Sequence, residues 1–425
     1  MTHACTRGLR RSAVAATAAG MLVAPLTGAS ARAAPLAVAA PRALTTAAPP
    51  SPSPSSPPPS SSGVRTLTPA VTARLDRAVR SVLREANVPG VIVGLWTPGQ
   101  GRYVKSFGVA DRSTGRKMSA DLYTRIGSET KTFTVTALLR LADRHRLGLD
   151  DPVSKYVDGV PGGDRITLRE LAGMRSGLFN YSADDGFVKA LTADPRRPFA
   201  PRELLGYAFR HPALFPPGRK FDYSNTNLIL LGLVIEKVSG RSLADYLRTE
   251  VLDPAGLHHT LFPSGARFPQ PHAQGYTNQT ASGAVATTAD WNPSWGWAAG
   301  AMISNLDDLR VWARTVATGV LPDGRDLISP ATQKQRLTTP STPVPGVGYG
   351  LGVFDVHGWI GHNGSLPGYE SLTLYLPAAR ATLVVLLNTD ISHRGAEPST
   401  LFGQAVTEVV TPGHVFDLGT RPATR

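Results

Sequence analysis

The chain has 425 residues, 42% of them hydrophobic and 18% charged, with a net charge of +13. That length suits one large domain with appendages, and the composition is that of a soluble globular protein. Its basic residues form no run interleaved with aromatics, so a nucleic-acid partner is not expected. The single cysteine, Cys5, lies ahead of an apolar leader, which leaves the remaining chain without disulfides, cysteine catalysis or thiolate metal sites.

Residues 1–33 have the plan of a secretory signal peptide. Arg7, Arg10 and Arg11 form the positive end, Ala13 to Leu26 the apolar stretch, and Ala31-Arg32-Ala33 a small-residue cleavage site. With Arg32 these arginines carry four of the thirteen net charges, leaving +9 for the mature chain. No run has the length of a membrane span, so a secreted protein without a stable membrane anchor is expected. Its basic surface suits the anionic polymers of a cell wall. Residues 34–66 are mostly Ala, Pro and Ser, a spacer unable to bury a core.

The folded domain is expected over 67–412, with 413–425 as a tail. Thr68-Pro69 is an N-cap followed by proline in the first turn, and Val71, Leu75, Val79 and Val82 recur at helical spacing. Two strands, 91–96 and 102–109, flank the turn Thr97-Pro98-Gly99-Gln100-Gly101. Helices are predicted over 128–146, 167–174, 201–209, 225–238 and 243–251. Strands return at 358–361, 372–376 and 381–387, and a last helix at 399–410. This order predicts an α+β fold: an antiparallel sheet formed by both chain ends and flanked by helices, plus an all-helical lobe. The active site is expected where sheet and lobe meet.

Three elements carry chemistry. In Ser128-Glu129-Thr130-Lys131 a helical turn places the lysine amine beside the hydroxyl. Ser128 needs a base to become a nucleophile, and Lys131 can serve if burial and the helix terminus lower its pKa. Of eight lysines, only Lys131 has a serine three residues before it. Tyr223-Ser224-Asn225 follows Pro216-Pro217-Gly218 and precedes an apolar helix. Its phenol, with a pKa lowered by the nearby ammonium, can shuttle a proton, and Asn225 can grip an amide. Tyr276-Thr277-Asn278 matches the same pattern but lies in a polar stretch. His362-Asn363-Gly364 ends a strand-like segment and has a decoy in His393-Arg394-Gly395. There, an edge strand offers the Ser365 N–H as an oxyanion donor beside that of Ser128. No Gly-x-Ser-x-Gly elbow occurs, which argues against an α/β-hydrolase.

From about residue 68 to 410 the chain resembles the class C β-lactamase and serine D-alanyl-D-alanine carboxypeptidase family. The matching stretches include Leu149 to Val153, Ile166 to Leu178, Tyr223 to Asn227 and Ala298 to Ser304. The resemblance implies a β-lactamase/transpeptidase-like fold and an acyl-enzyme on Ser128, with Lys131 as base partner and Tyr223 as acid/base. It implies substrate binding by Asn225, His362, Asn363, Gly364 and Ser365, and an aromatic wall at Trp295. No metal or cofactor is implied. Small peptides or esters are the expected substrates, β-lactams the expected covalent inhibitors or substrates, and a monomer the expected state. The third motif departs from the family's Lys-Thr-Gly and His-Thr-Gly, and Tyr349 to Gly361 contains no Arg or Lys to meet a substrate carboxylate. D-alanyl peptides of peptidoglycan lead as substrates. Esterase, D-aminopeptidase or β-lactamase activity, or a non-catalytic penicillin sensor, are the alternatives.

Overall fold

The computed structural model describes residues 63–419. The expected leader and most of the spacer lie outside the described residues. Seven strands form one sheet: β1 (Gly90–Thr97), β2 (Gly101–Gly108), β3 (Val347–Tyr349), β4 (Phe354–Val356), β5 (Trp359–Leu366), β6 (Tyr369–Leu376) and β7 (Ala381–Leu387). Their order is β2-β1-β7-β6-β5-β4-β3, and every paired neighbour is antiparallel. The N-terminal hairpin joins the C-terminal strands through β1 and β7, with Val91 opposite Leu387.

Every residue of β1, β6 and β7 is buried, because helices cover both faces of the sheet. On one face lie α1 (Pro69–Glu85), capped by Thr68, and the C-terminal helix α5 (Pro398–Val410). On the other, α4 (Leu306–Thr318) packs across β1, β5, β6 and β7. Beyond it the helical lobe is built around α2 (Thr130–Asp143) and α3 (Asn225–Ser239), which pack on each other. Both are buried over most of their circumference, and α2 buries Thr130, Lys131, Thr132, Thr134 and Thr136 along with its apolar side chains.

The folded unit runs past residue 412 into the segment expected as a tail. Phe416 is buried in the core, and the His414 carbonyl accepts from Trp359 Nε1 at 2.7 Å. Phe416 and the partly buried Leu418 are the apolar side chains that pack there, too little periodicity to be read as an element. None of the described helices is long and apolar enough to cross a membrane.

Candidate active site

A tight turn of Gly127–Glu129 leads into α2 and sets Ser128 at the seam between sheet and lobe. Gly127 has φ +50°, and a Cβ there would stand 2.7 Å from the Ser365 backbone nitrogen. Gly364 is equally constrained, since its Cβ would meet the Ile126 carbonyl oxygen at 2.0 Å. Only glycines allow the turn and strand β5 to touch this closely. Ser371 on β6 donates to the Ile126 carbonyl at 2.9 Å and fixes the contact from the neighbouring strand.

Lys131 is fully buried, with Nζ 2.9 Å from Ser128 Oγ. It donates to the Ala299 carbonyl at 2.7 Å. Thr134 Oγ1 donates to the Ala298 carbonyl at 2.8 Å, and Thr130 Oγ1 accepts from the Met302 N–H at 3.1 Å. The Ala298 to Met302 stretch is thus sewn to one face of α2. Burial drives the Lys131 pKa well below that of a free lysine, toward the neutral amine.

Tyr223 places its ring centroid 4.9 Å from Lys131 Nζ. Burial raises its pKa, contact with Ser128 opposes the rise, and the Glu397 charge adds to it. The sequence-based expectation of a lowered pKa is therefore reversed. It presumed a charged lysine beside the phenol, whereas the lysine is dehydrated along with it. No partner meets hydrogen-bond geometry at the Tyr223 hydroxyl among the described residues.

Asn225, the first residue of α3, donates from Nδ2 to Ser182 Oγ at 3.1 Å, while Asn180 accepts its backbone N–H at 3.1 Å. Asn227 fastens the same helix end to the preceding loop through Ser176, at 2.7 Å, and the Leu171 carbonyl, at 3.2 Å.

Ser128, Tyr223, Asn225, Trp295 and Ser365 line one cleft of about 590 Å³, open mouth included. Tyr181, Ser182, Phe187, Leu191 and Gln279 line it too. Trp295 packs on Phe187 with ring centroids 6.0 Å apart, and its carbonyl accepts from Tyr181 Oη at 2.5 Å. Trp295 and Phe187 thus stand together along the cleft. Phe187 and Leu191 sit on the helix Asp185–Ala193, capped by Asp184, whose carboxylate accepts the Phe187 N–H at 2.9 Å. Asp184-Asp185 before an apolar pair is a capping signal that sequence reading passed over.

The third motif behaves differently from expectation. His362, Asn363 and Gly364 do not line the cleft. Successive side chains of β5 alternate between faces, so His362 and Asn363 point opposite ways. His362 sits behind Tyr223, with ring centroids 6.1 Å apart. Burial and then Lys131 push its pKa down to about 3, so the ring is neutral, and Nδ1 donates to the Asn363 carbonyl at 2.5 Å. Asn363 turns toward α5 and donates Nδ2 to Glu397 at 2.7 Å. Tyr276, from the competing motif, meets Arg112 N–H at 2.7 Å and plays no part in the cleft.

Residues 75–405 match the β-lactamase family model. The chain belongs to this family. A D-stereospecific amidohydrolase from Streptomyces sp. is similar in structure, with TM-score 0.69 and 30% identity, over 76% of this chain and 95% of that one. The D-amino acid amidase from Ochrobactrum anthropi SV3 matches with TM-score 0.66 and 25% identity, over 79% and 96%. Among curated sequences, protein Flp of Staphylococcus aureus is 28% identical over 75% of this chain and 64% of its own length. The D-aminopeptidase of Brucella anthropi is 28% identical over 75% and 59%. The chain thus spans less than two thirds of these curated relatives. Family membership and fold make it a serine hydrolase built on the β-lactamase and penicillin-binding scaffold.

Proposed function

We propose that the chain is a secreted amidohydrolase that forms an acyl-enzyme on Ser128 and cleaves amides or short peptides of D-amino acids. One observation carries the choice of substrate. Asn363 is engaged by Glu397, and no arginine or lysine lines the cleft among the described residues, so a substrate carboxylate would be buried without a cation. That favours the runner-up of the sequence reading over a D-alanyl-D-alanine carboxypeptidase. Similarity to a D-stereospecific amidohydrolase and a D-aminopeptidase supports the same choice.

In the reaction, Ser128 Oγ attacks the scissile carbonyl carbon and its proton passes to the lone pair of neutral Lys131. The carbonyl electron pair moves onto oxygen, facing the backbone N–H groups of Ser128 and Ser365. Collapse breaks the C–N bond as Tyr223, protonated because its pKa is raised, gives its proton to the leaving nitrogen. The Lys131 ammonium then reprotonates the phenolate. Water attacks the acyl carbon next, its proton travels through Tyr223 to Lys131, and Ser128 leaves reprotonated.

Intact-mass spectrometry during turnover, with D-alanine amide, L-alanine amide and an N-acylated peptide ending in D-alanyl-D-alanine, tests the reading. Preference for the D-amide, with an acyl adduct that Ser128→Ala lacks, is expected. A higher kcat/KM on the peptide would restore the carboxypeptidase. β-Lactams are expected to acylate Ser128 in the same assay.

A further inference from the structure

We propose that Gln279 reads the free α-ammonium of the substrate's acyl half, held in that role by Asp390. Gln279 lines the cleft with Ser128 and Asn225. Its Nε2 donates to Asp390 Oδ2 at 2.5 Å. The same carboxylate accepts from Thr277 Oγ1 at 3.0 Å and from the Gly368 N–H at 2.8 Å. Thr277 Oγ1 in turn accepts the Gln279 N–H at 3.1 Å, which fixes the residue's backbone.

Asp390 is buried, so its charge has a functional or structural cause to be sought. Burial pushes its pKa up to about 6 against the three donors, which leaves it ionised at neutral pH. An ionised carboxylate only accepts, so it dictates which end of the Gln279 amide it meets. Nε2 must face Asp390, and Oε1 remains. No hydrogen bond reaches Oε1 among the described residues. Asn225 is oriented the same way, with Nδ2 committed to Ser182 and Oδ1 left over. The cleft therefore offers two amide oxygens and no cation, a lining matched to a group rich in N–H donors. An ammonium fits that description, and an N-acylated or deaminated substrate does not. Through Gly368 the carboxylate also holds the β5–β6 turn, whose Leu366 and Pro367 line the cleft.

This assignment rests on the D-amino-amide reading. Its test is kcat/KM for nitrophenyl esters of D-alanine and N-acetyl-D-alanine, taken as a ratio for wild type, Gln279→Met and Asp390→Asn. Esters report acyl-enzyme formation without demanding amide cleavage. The expected result is a wild-type ratio above one that falls at least about tenfold in both variants, through KM on the free amine. Gln279→Ala repeats the test should Gln279→Met fail to fold. A ratio that the Gln279 variants retain overturns the assignment and leaves the D-amide reading standing. A wild-type ratio of one or less also overturns it, and the D- against L-alanine amide preference then judges the wider reading separately.

Discussion

Lys131 Nζ lies 2.9 Å from Ser128 Oγ, and no carboxylate pairs with it among the described residues. The buried amine donates instead to the Ala299 carbonyl, an acceptor that does not require charge. A lysine so placed is a base because it has lost its water. Tyr223 beside it is an acid for the same reason. One dehydrated pocket thus drives the two pKa values in opposite chemical directions, down for the amine and up for the phenol.

The proton from Tyr223 matters only when the leaving group needs one. Tyr223→Phe is expected to slow amide cleavage by roughly 10²–10³-fold but nitrophenyl ester cleavage by less than about tenfold, since nitrophenolate leaves unprotonated. Steady-state rates on paired amide and ester substrates check this. Equal losses would remove Tyr223 from the acid role.

Gly127→Ala would force a Cβ within 2.7 Å of the Ser365 nitrogen at a positive φ. The turn must then back away from β5, separating the two oxyanion donors. A loss of acylation of at least about 10²-fold is expected, measured as the rate of covalent labelling. Full labelling with Ala at this position would show that the close approach is dispensable.

Glu129 is buried beside the hydroxyls of Thr373 and Ser371, and burial raises its pKa to about 8. A carboxyl raised above its unfolded value of 4.5 favours the folded state at low pH, and that contribution is lost as pH climbs from 4.5 through 8. Glu129→Gln keeps the neutral shape without the titration. The thermal midpoint of this variant, taken relative to wild type, is expected to rise from pH 5 to about 8 and to level off above that, on a scan of about one-unit steps. A pH-independent difference would mean that Glu129 is ionised throughout.

Glu397 faces Asn363, and its charge contributes to the raised pKa of Tyr223. Glu397→Gln removes a negative charge behind the cleft wall. KM for a peptide ending in a free carboxylate is expected to fall several-fold, by roughly 1 kcal/mol of relieved repulsion at intermediate dielectric. An unchanged KM would place the carboxylate end of such peptides away from this wall.

Periodicity and caps made much of the fold legible. Thr68-Pro69 opens α1 as read, and strands 91–96, 372–376 and 381–387 fall inside β1, β6 and β7. Helix α4 was passed over even though Asn305 caps it, Asp307 and Asp308 follow and Gly319 ends it. Ser128, Lys131, Tyr223, Asn225 and Ser365 were legible because each belongs to or adjoins a short local motif, whereas Trp295 came from the family resemblance alone. Gln279 was not. It stands next to a motif set aside as a decoy, and its role depends on Asp390, 111 positions away.

The sequence by itself determined which residues share a helical turn, which stretches alternate as strands and which chemistry the serine and lysine can perform, because these follow from spacing along one backbone. Only the tertiary structure decided that Lys131 and Tyr223 are dehydrated together, that Asn363 faces Glu397 rather than the cleft, and that Gln279 enters it. Desolvation and facing depend on which distant segments close over a side chain, and neighbours along the chain do not carry that information.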